Sequence, residues 1–278
     1  MRKRVYIALA VLLVILAGVS AWQVLRLREP VYQGKPLSAW LERLSKATKD
    51  DERDRATTAI RHIGTNALPL LIERLRAQDA PLKLLIMTWA EKQKLVPVHL
   101  KSAQQRRNEA IWGYEALGPL ASAQIPSLAD MVSHDPAFFV RHGAVSALGY
   151  VGPEARSAAP ALFRATQDTD EEVRGVAFWA LGRILPDPQL TIPLLVAGLD
   201  DPLWGNRWPA AAALGKYGPE ARAAVPALLR ALATNDALAV SLPAAGPWER
   251  DQLGRLSDVF RSALKKVDPE AAAEAGVK

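Results

Sequence analysis

Apolar residues recur with the period of an α-helix through most of this chain. One helical face is formed, at positions i, i+3, i+4 and i+7, by Ala144, Ala147, Leu148 and Val151. Gly152-Pro153 ends this helix, because a glycine followed by a proline closes helices, and a second helix opens near Pro160. The pattern predicts two antiparallel helices in about 33 residues, which leaves no room for strands.

The same landmarks return every 33 residues. They are Asp135, Asp168 and Asp201; Arg141, Arg174 and Arg207; Leu148-Gly149, Leu181-Gly182 and Leu214-Gly215; and Pro160, Pro193 and Pro226. A period of this length is typical of repeat arrays, whose units cannot bury their apolar faces alone and therefore stack. We predict an all-α, right-handed α-solenoid of antiparallel helix pairs.

Alignment on this frame divides residues 37–273 into five units and a half-unit cap. The predicted units lie near residues 53–76, 107–139, 140–172, 173–205 and 206–239, and the cap covers 257–273. Two insertions, 77–106 and 240–256, fall outside the period. Insertions between repeats lie on one surface, which is often the surface that binds.

A consensus Val-Arg-x-x-Ala-x-x-Ala-Leu-Gly stands at residues 140–149 and 173–182. In this motif the chain resembles HEAT repeats over roughly residues 53–273, particularly the short phycobilisome-lyase-like HEAT group. The sequence Gly-Lys-Pro-Leu-Ser-Ala-Trp-Leu after an apolar amino-terminal run is similar to that of membrane-associated HEAT proteins of bacteria. The resemblance implies a scaffold that holds other macromolecules.

The amino-terminal residues 1–28 predict a membrane anchor or a signal segment. Met1-Arg-Lys-Arg4 precedes an uncharged run over residues 5–25, which is long enough to span a hydrocarbon core of roughly 30 Å. The alternative is a signal peptide cleaved near Ala21, with a secreted or periplasmic product. Both predict that the array lies outside the cytoplasm, in the periplasm if the source is bacterial. Residues 29–36 are predicted to form an extended linker.

Positive charge is not concentrated on the repeats. Residues 1–109 carry 20 Lys/Arg against 10 Asp/Glu, whereas residues 110–278 carry 15 against 19. Because a nucleic-acid-binding module gathers positive charge, we expect no nucleic-acid partner. Cysteine is absent and the four histidines are scattered, and no nucleotide-binding or nucleophile motif occurs. The sequence therefore predicts no catalytic site, no cofactor, no metal and no small-molecule substrate.

Two sets of residues stand out as candidate sites. The Asp/Arg ladder consists of Asp135, Arg141, Asp168, Arg174, Asp201 and Arg207. We predict a structural role for it, with each aspartate near a turn as a helix cap and each arginine bridging to a neighbouring unit.

Tryptophan is frequent, with 8 residues against 5 Phe and 5 Tyr. Trp112 and Trp179 share one repeat position, and Trp208 lies one turn away on the same outer face. These three are candidate partner-binding residues, and packing against an adjacent unit or an insertion is the favoured alternative.

Together these features predict a non-enzymatic, membrane-anchored scaffold that binds a protein partner. The resemblance alone implies an alternative, a lyase or chaperone-like accessory protein of the phycobilisome-lyase HEAT type, which would require an apolar pocket. A HEAT-type DNA-binding protein or DNA glycosylase is a further alternative, but the acidic array and the export signal argue against it.

Overall fold

Helix pairs stacked side by side make up the chain in the computed structural model, which describes residues 29–92, 101–241 and 247–277. The predicted anchor or signal segment, residues 1–28, lies outside these ranges. Within them, no helix combines the length and the apolar character that crossing a membrane requires.

A short hairpin opens the described chain where the sequence predicted an extended linker. Strand β1 (Val31–Tyr32) pairs antiparallel with β2 (Lys35–Pro36). Gln33 and Gly34 between them both have positive φ, 49° and 70°, as a tight two-residue hairpin turn requires. The extended linker is thus corrected to a hairpin, because this turn lets the two short segments satisfy each other's backbone groups.

The helices form six pairs after a single entry helix, α1 (Leu37–Lys46). The first helices of the pairs are α2 (Asp50–Ile63), α5 (Ala103–Leu117), α7 (Phe138–Val151), α9 (Glu171–Ile184), α11 (Trp204–Tyr217) and α13 (Pro247–Val267). The second helices are α3 (Leu68–Leu75), α6 (Ile125–His134), α8 (Ala159–Ala165), α10 (Pro188–Gly198), α12 (Val225–Ser241) and α14 (Pro269–Glu274). Helix α4 (Pro81–Lys92) lies between the first two pairs.

A 3-10 turn joins the two helices in four of these pairs. Each turn begins with a glycine at positive φ, a conformation that glycine adopts readily because it has no side chain. These glycines are Gly64, Gly118, Gly152 and Gly218. In the pair α9–α10, Leu185 takes the left-handed conformation instead, with φ 49°. The helix closure predicted at Gly152-Pro153 therefore recurs, and one unit achieves it without glycine.

The first helices pack against each other as one continuous layer. A methyl group at Gly182 would lie 2.8 Å from the Cβ of Ala213 in the next first helix. A methyl group at Gly215, one period later, would lie 3.2 Å from the Cα of Ala263 on α13. Since these positions have no side chain, successive helices approach closely, and Leu148, Leu181 and Leu214 are fully buried beneath them.

The predicted helix starts need correction. We expected Asp135 to cap a helix, but Ala137 is the N-cap and α7 begins at Phe138. Asp168 is not a helix cap either. Asp170 caps α9 instead, and its side chain accepts hydrogen bonds from two backbone amides. The helices α9 and α11 begin two residues before the predicted unit boundaries, and the insertion 240–256 includes the start of α13 at Pro247.

Buried charges attach the first insertion to the array. The Arg74 guanidinium on α3 donates to the Glu109 carboxylate on α5, and both side chains are buried. Lys101 Nζ donates to Glu109 Oε1 and to Glu42 Oε2, each at 2.8 Å. The hydrogen bond from Lys101 is the largest cause that lowers the pKa of Glu42, to about 2.

Asp79 anchors the other end of this insertion. Its carboxylate accepts from Lys83 Nζ at 2.6 Å, from Arg106 Nη2 at 3.2 Å and from the backbone N of Ala103 at 2.7 Å. The last of these bonds is the largest cause that lowers the pKa of Asp79. A single carboxylate thus joins the starts of α4 and α5.

Candidate partner-binding surfaces

The Asp/Arg ladder joins each unit to the next. Arg141 Nε and Nη2 donate to the two oxygens of Asp168, both at 2.7 Å, and Nη1 donates to the backbone O of Asp135 at 3.1 Å. Arg174 repeats the arrangement on Asp201, at 2.8 and 3.2 Å, and on the backbone O of Asp168 at 3.0 Å. Each forked pair therefore ties a first helix to the turn before the next first helix, and the bonds to the backbone O of Asp135 and Asp168 tie the same arginines to the turn before their own helix.

Hydrogen bonding holds these carboxylates in the charged form. Burial raises the pKa of Asp168, but hydrogen bonds from Arg141 and from the backbone N of Asp170 outweigh it, so the pKa is lowered overall. Asp201 shows the same balance, with Arg174 and Leu203 as the donors. Carboxylates engaged in this way support the stacking of the units and are poorly suited to proton transfer.

The ladder ends at both of its outer members. Arg207 donates Nε to the backbone O of Asp201 at 3.0 Å, but the residue 27 positions further along is Thr234. There α12 continues as a helix in place of the turn that carries an aspartate in the two preceding units. At the other end, Asp135 Oδ1 accepts from the backbone N of Ala137 at 3.0 Å.

Two of the predicted partner-binding tryptophans are half-buried against neighbouring units. The Arg53 guanidinium lies 4.7 Å from the ring centre of Trp112. Trp179 packs edge-on against Tyr150, at 5.0 Å between ring centres, and lies over Gly149, where a methyl group would clash with the ring. These contacts are of the kind expected if the two tryptophans pack against adjacent units. The assignment of Trp112 and Trp179 to partner binding stays a prediction.

Trp208 has a different environment, with 47% of its surface exposed. Trp204 (38% exposed) lies one turn before it on α11, and Phe138 (43% exposed) lies at the start of α7. Phe138 and Trp204 are 66 residues apart, which is two periods, so they occupy equivalent positions. We name Phe138, Trp204 and Trp208 the aromatic edge.

Sequence analysis found only one member of the aromatic edge. The signal that would have revealed the others was the two-period spacing of an aromatic residue at the first helical position. It was missed because the predicted unit boundaries, at residues 140 and 206, lay two residues after the starts of α7 and α11. The exposed fraction of each ring depends on the neighbouring units and could not be read from the spacing.

Three cations lie near the carboxyl-terminal ends of first helices. Arg183, Lys216 and Lys266 are exposed, and each stands near the end of a successive first helix, α9, α11 and α13. The stem of Lys266 lies against Gly215, and this contact places it beside Lys216. Burial, followed by the charges of Arg183 and Lys266, lowers the pKa of Lys216. We name these three residues the cationic row.

An open groove of about 990 Å³ lies between the hairpin, α1 and α2. Charged side chains of both signs line it, among them Lys35, Arg43, Glu52 and Arg55. Lys35 and Arg43 also lie over the ring of Trp40, at 5.1 and 5.3 Å from its centre. This lining differs from the apolar pocket that the lyase or chaperone-like alternative would require.

Comparison with known proteins defines the class of the repeats. A family model described as HEAT repeats matches residues 125–190 and 159–245, which include the helices from α6 to α12. This stretch therefore consists of HEAT repeats, and the predicted resemblance to HEAT repeats is confirmed.

A solved structure of the complex of CpcE and CpcF of phycocyanin lyase from Nostoc sp. PCC7120 is similar at 16% identity. The match covers 83% of this chain and 97% of that chain, with a TM-score of 0.28, which is too low to bear on function. A search of curated proteins finds no match.

Proposed function

We propose that this chain is a non-enzymatic scaffold that binds a protein partner through the aromatic edge. One observation carries the proposal: Phe138, Trp204 and Trp208 remain 38% to 47% exposed on helices that are otherwise tightly packed. Large aromatic side chains are enriched among the residues that dominate binding energy at protein interfaces. Phe138 and Trp204 occupy equivalent repeat positions at the starts of α7 and α11, which favours a shared interface over scattered surface residues.

The rigidity of the supporting helices adds to this argument. Leu148 and Leu214, on the helices that carry the aromatic edge, are fully buried, and the ladder fixes the spacing of the units. A surface that is already ordered loses little conformational entropy when a partner binds. The proposed interface therefore needs no cofactor and no chemical step.

We propose further that residues 5–25 anchor the chain and hold the array outside the cytoplasm. This part of the proposal rests on the uncharged run and its basic amino-terminal flank. Cleavage near Ala21, with release of the array, is the alternative. Cell fractionation with protease protection tests it: recovery of the full-length chain in the soluble cytosol would contradict both forms.

Site-specific crosslinking in cells tests the aromatic edge. A photoreactive phenylalanine analogue placed at Trp208 should crosslink a discrete protein, and the same analogue at Arg230 should not. Arg230 is an exposed residue on the second helix α12 and serves as the matched control. Identical crosslinked products from the two positions would contradict the proposed interface.

Once a partner is recovered by this route, Trp208→Ala should weaken its binding by about tenfold or more, as expected for a hot-spot tryptophan. The variant should keep the thermal unfolding midpoint of the parent, because Trp208 is largely exposed. Unchanged affinity in a folded variant would remove Trp208 from the interface.

A further inference from the structure

The cationic row repeats a charge at successive units without a counter-charge. Arg183 and Lys216 are one period apart, and Lys266 takes the adjoining place on α13. Across residues 29–92, 101–241 and 247–277, these three side chains enter no ion pair. This contrasts with Arg141 and Arg174, whose repeated positions are neutralised by aspartates.

The structure holds these cations in place although they lack acidic partners. Arg183 Nε donates to the backbone O of Gly149 at 2.8 Å, and its guanidinium lies 5.3 Å from the ring centre of Trp179 and 5.6 Å from that of Tyr150. One side of the guanidinium is therefore fixed by neighbouring groups, while the residue remains exposed. Lys266 is positioned by its stem on Gly215.

Mutual repulsion makes this arrangement unfavourable without an anion. Lys216 is influenced by Arg183 and Lys266, both of the same sign, and no acidic group contributes to its pKa shift. Like charges so arranged cost free energy, which a bound anionic chain would recover. A ligand whose negative charges are spaced along its length could pair with all three cations of the row.

The rest of the array favours a polypeptide over a nucleic acid. Residues 110–278 carry 15 Lys/Arg against 19 Asp/Glu, so this part of the chain as a whole is mildly acidic. A polyphosphate backbone is neutralised by a broad basic surface, which this part of the chain lacks. Spaced carboxylates of a protein segment need only the local cations, and Arg183 can receive a carboxylate in a forked geometry.

We propose that the cationic row of Arg183, Lys216 and Lys266 binds an acidic polypeptide segment laid across the ends of α9, α11 and α13. Each cation receives a carboxylate of that segment, and the rings of Trp179 and Tyr150 border its path. This surface is separate from the aromatic edge, since Lys216 and Trp208 are eight residues apart on α11, or about 12 Å along its axis.

Fluorescence anisotropy with a labelled polyglutamate peptide tests the proposal. The full chain is used in a non-ionic detergent, because residues 5–25 are apolar. Lys216→Glu should weaken peptide binding by about fivefold or more, and Arg183→Glu should weaken it by a similar factor. The matched reversal Arg230→Glu, on the exposed face of α12, should change it by less than about twofold.

Crosslinking locates the binding site on the same chain. A polyglutamate peptide activated with carbodiimide should form amide bonds with Lys216 and Lys266 in preference to Lys265, which is exposed next to Lys266. Because the exposed Lys216 side chain makes no hydrogen bond to the described residues, whereas Arg183 donates to Gly149, Lys216→Glu tests the row even if Arg183→Glu unfolds.

Three results would overturn this assignment. They are equal losses of affinity in Lys216→Glu and Arg230→Glu, equal crosslinking at Lys265 and Lys266, and tighter binding of an oligothymidylate than of polyglutamate. The inference shares with the proposed function only the premise that the occupant is a protein. Failure here would leave crosslinking at Trp208 untouched, and failure at Trp208 would leave the peptide measurements valid.

Discussion

The two halves of the described array join their units by different means. Between α7 and α11, each junction uses the same parts: a glycine against the next first helix and an arginine forked onto the aspartate in the turn before that helix. Between α3 and α5, the junction depends on Arg74 and Glu109, a buried pair that has no counterpart at the other junctions within residues 29–92, 101–241 and 247–277. The carboxyl-terminal half is therefore modular, whereas the amino-terminal half is built around one network of charges.

This difference has an energetic meaning. In the modular half, several similar contacts each stabilise the stacking of the units. Loss of one contact therefore leaves the others intact. In the amino-terminal half, Glu109 serves both Arg74 and Lys101, and Lys101 also reaches Glu42. Removal of a central member leaves buried charges without partners, which is costly.

The largest expected effect is therefore in the amino-terminal half. Glu109→Ala leaves the Arg74 guanidinium buried and unpaired, and should lower the free energy of unfolding by about 3–5 kcal/mol. Hydrogen exchange should show faster exchange in α3 and α5 than in α7 and α9. Glu73→Ala, at an exposed position on α3, is the control and should be nearly neutral. Uniform loosening of all the helices would contradict the distinction between the halves.

A smaller loss is expected when the packing of the modular half is disturbed. Gly182→Leu places side-chain atoms where even a methyl group would lie 2.8 Å from Ala213, and should cost about 2–3 kcal/mol of unfolding free energy. Urea unfolding measures the effect. Gly254→Leu on α13, where a methyl group meets nothing within 4 Å, is the matched control. If both variants lost equal stability, close helix approach at Gly182 would not be its cause.

A still smaller effect is expected for the ladder. Asp168→Asn keeps the side-chain shape but removes the charge that Arg141 contacts, and should cost about 1–2 kcal/mol. Thermal or urea unfolding gives the difference, and Asp200→Asn, at an exposed neighbouring position, supplies the reference. An Asp168→Asn variant as stable as the reference would show that the forked pair adds no net stability.

The smallest effect is the pH dependence of Glu42. Its pKa falls from an ordinary 4.5 to about 2 on folding, chiefly through the hydrogen bond from Lys101. A lowered pKa stabilises the folded state above the unfolded pKa, and this contribution disappears as the pH falls towards about 2. The stability difference between the parent and Glu42→Gln should thus be constant above about pH 5.5 and vanish near pH 2. A difference that grows on acidification would reverse the assigned sign.

The same comparison explains what the sequence could predict. Gly149, Gly182 and Gly215 recur with one spacing, so their period revealed the paired helices and the repeat class. Arg74 and Glu109 are 35 residues apart and occur once, so nothing in the pattern linked them. The same applies to the hairpin at Val31, which depends on two residues with positive φ rather than on hydrophobic spacing.

The binding surfaces were predicted less well than the fold. Trp112 and Trp208 look alike in sequence, but Arg53 of the neighbouring unit lies over Trp112, while Trp208 remains exposed. Exposure is a property of the assembled layer, and a single unit cannot reveal it. The cationic row was also overlooked, because Lys266 joins Arg183 and Lys216 through packing against Gly215 and not through the period.

Because the ladder repeats regularly, the number of units between two surface residues sets the distance between them. Residues 171–203 comprise one whole period, and their removal would place Arg207 beside the backbone of Asp168 in the position that Asp201 now fills. Phe138 and Trp204 are separated by two such units, or roughly 16–20 Å at ordinary helix spacing. Loss or gain of a unit between them would change the distance between the two rings by one repeat. Each ring would keep its position within its own repeat. A partner that needs both rings would thus be sensitive to the number of repeats.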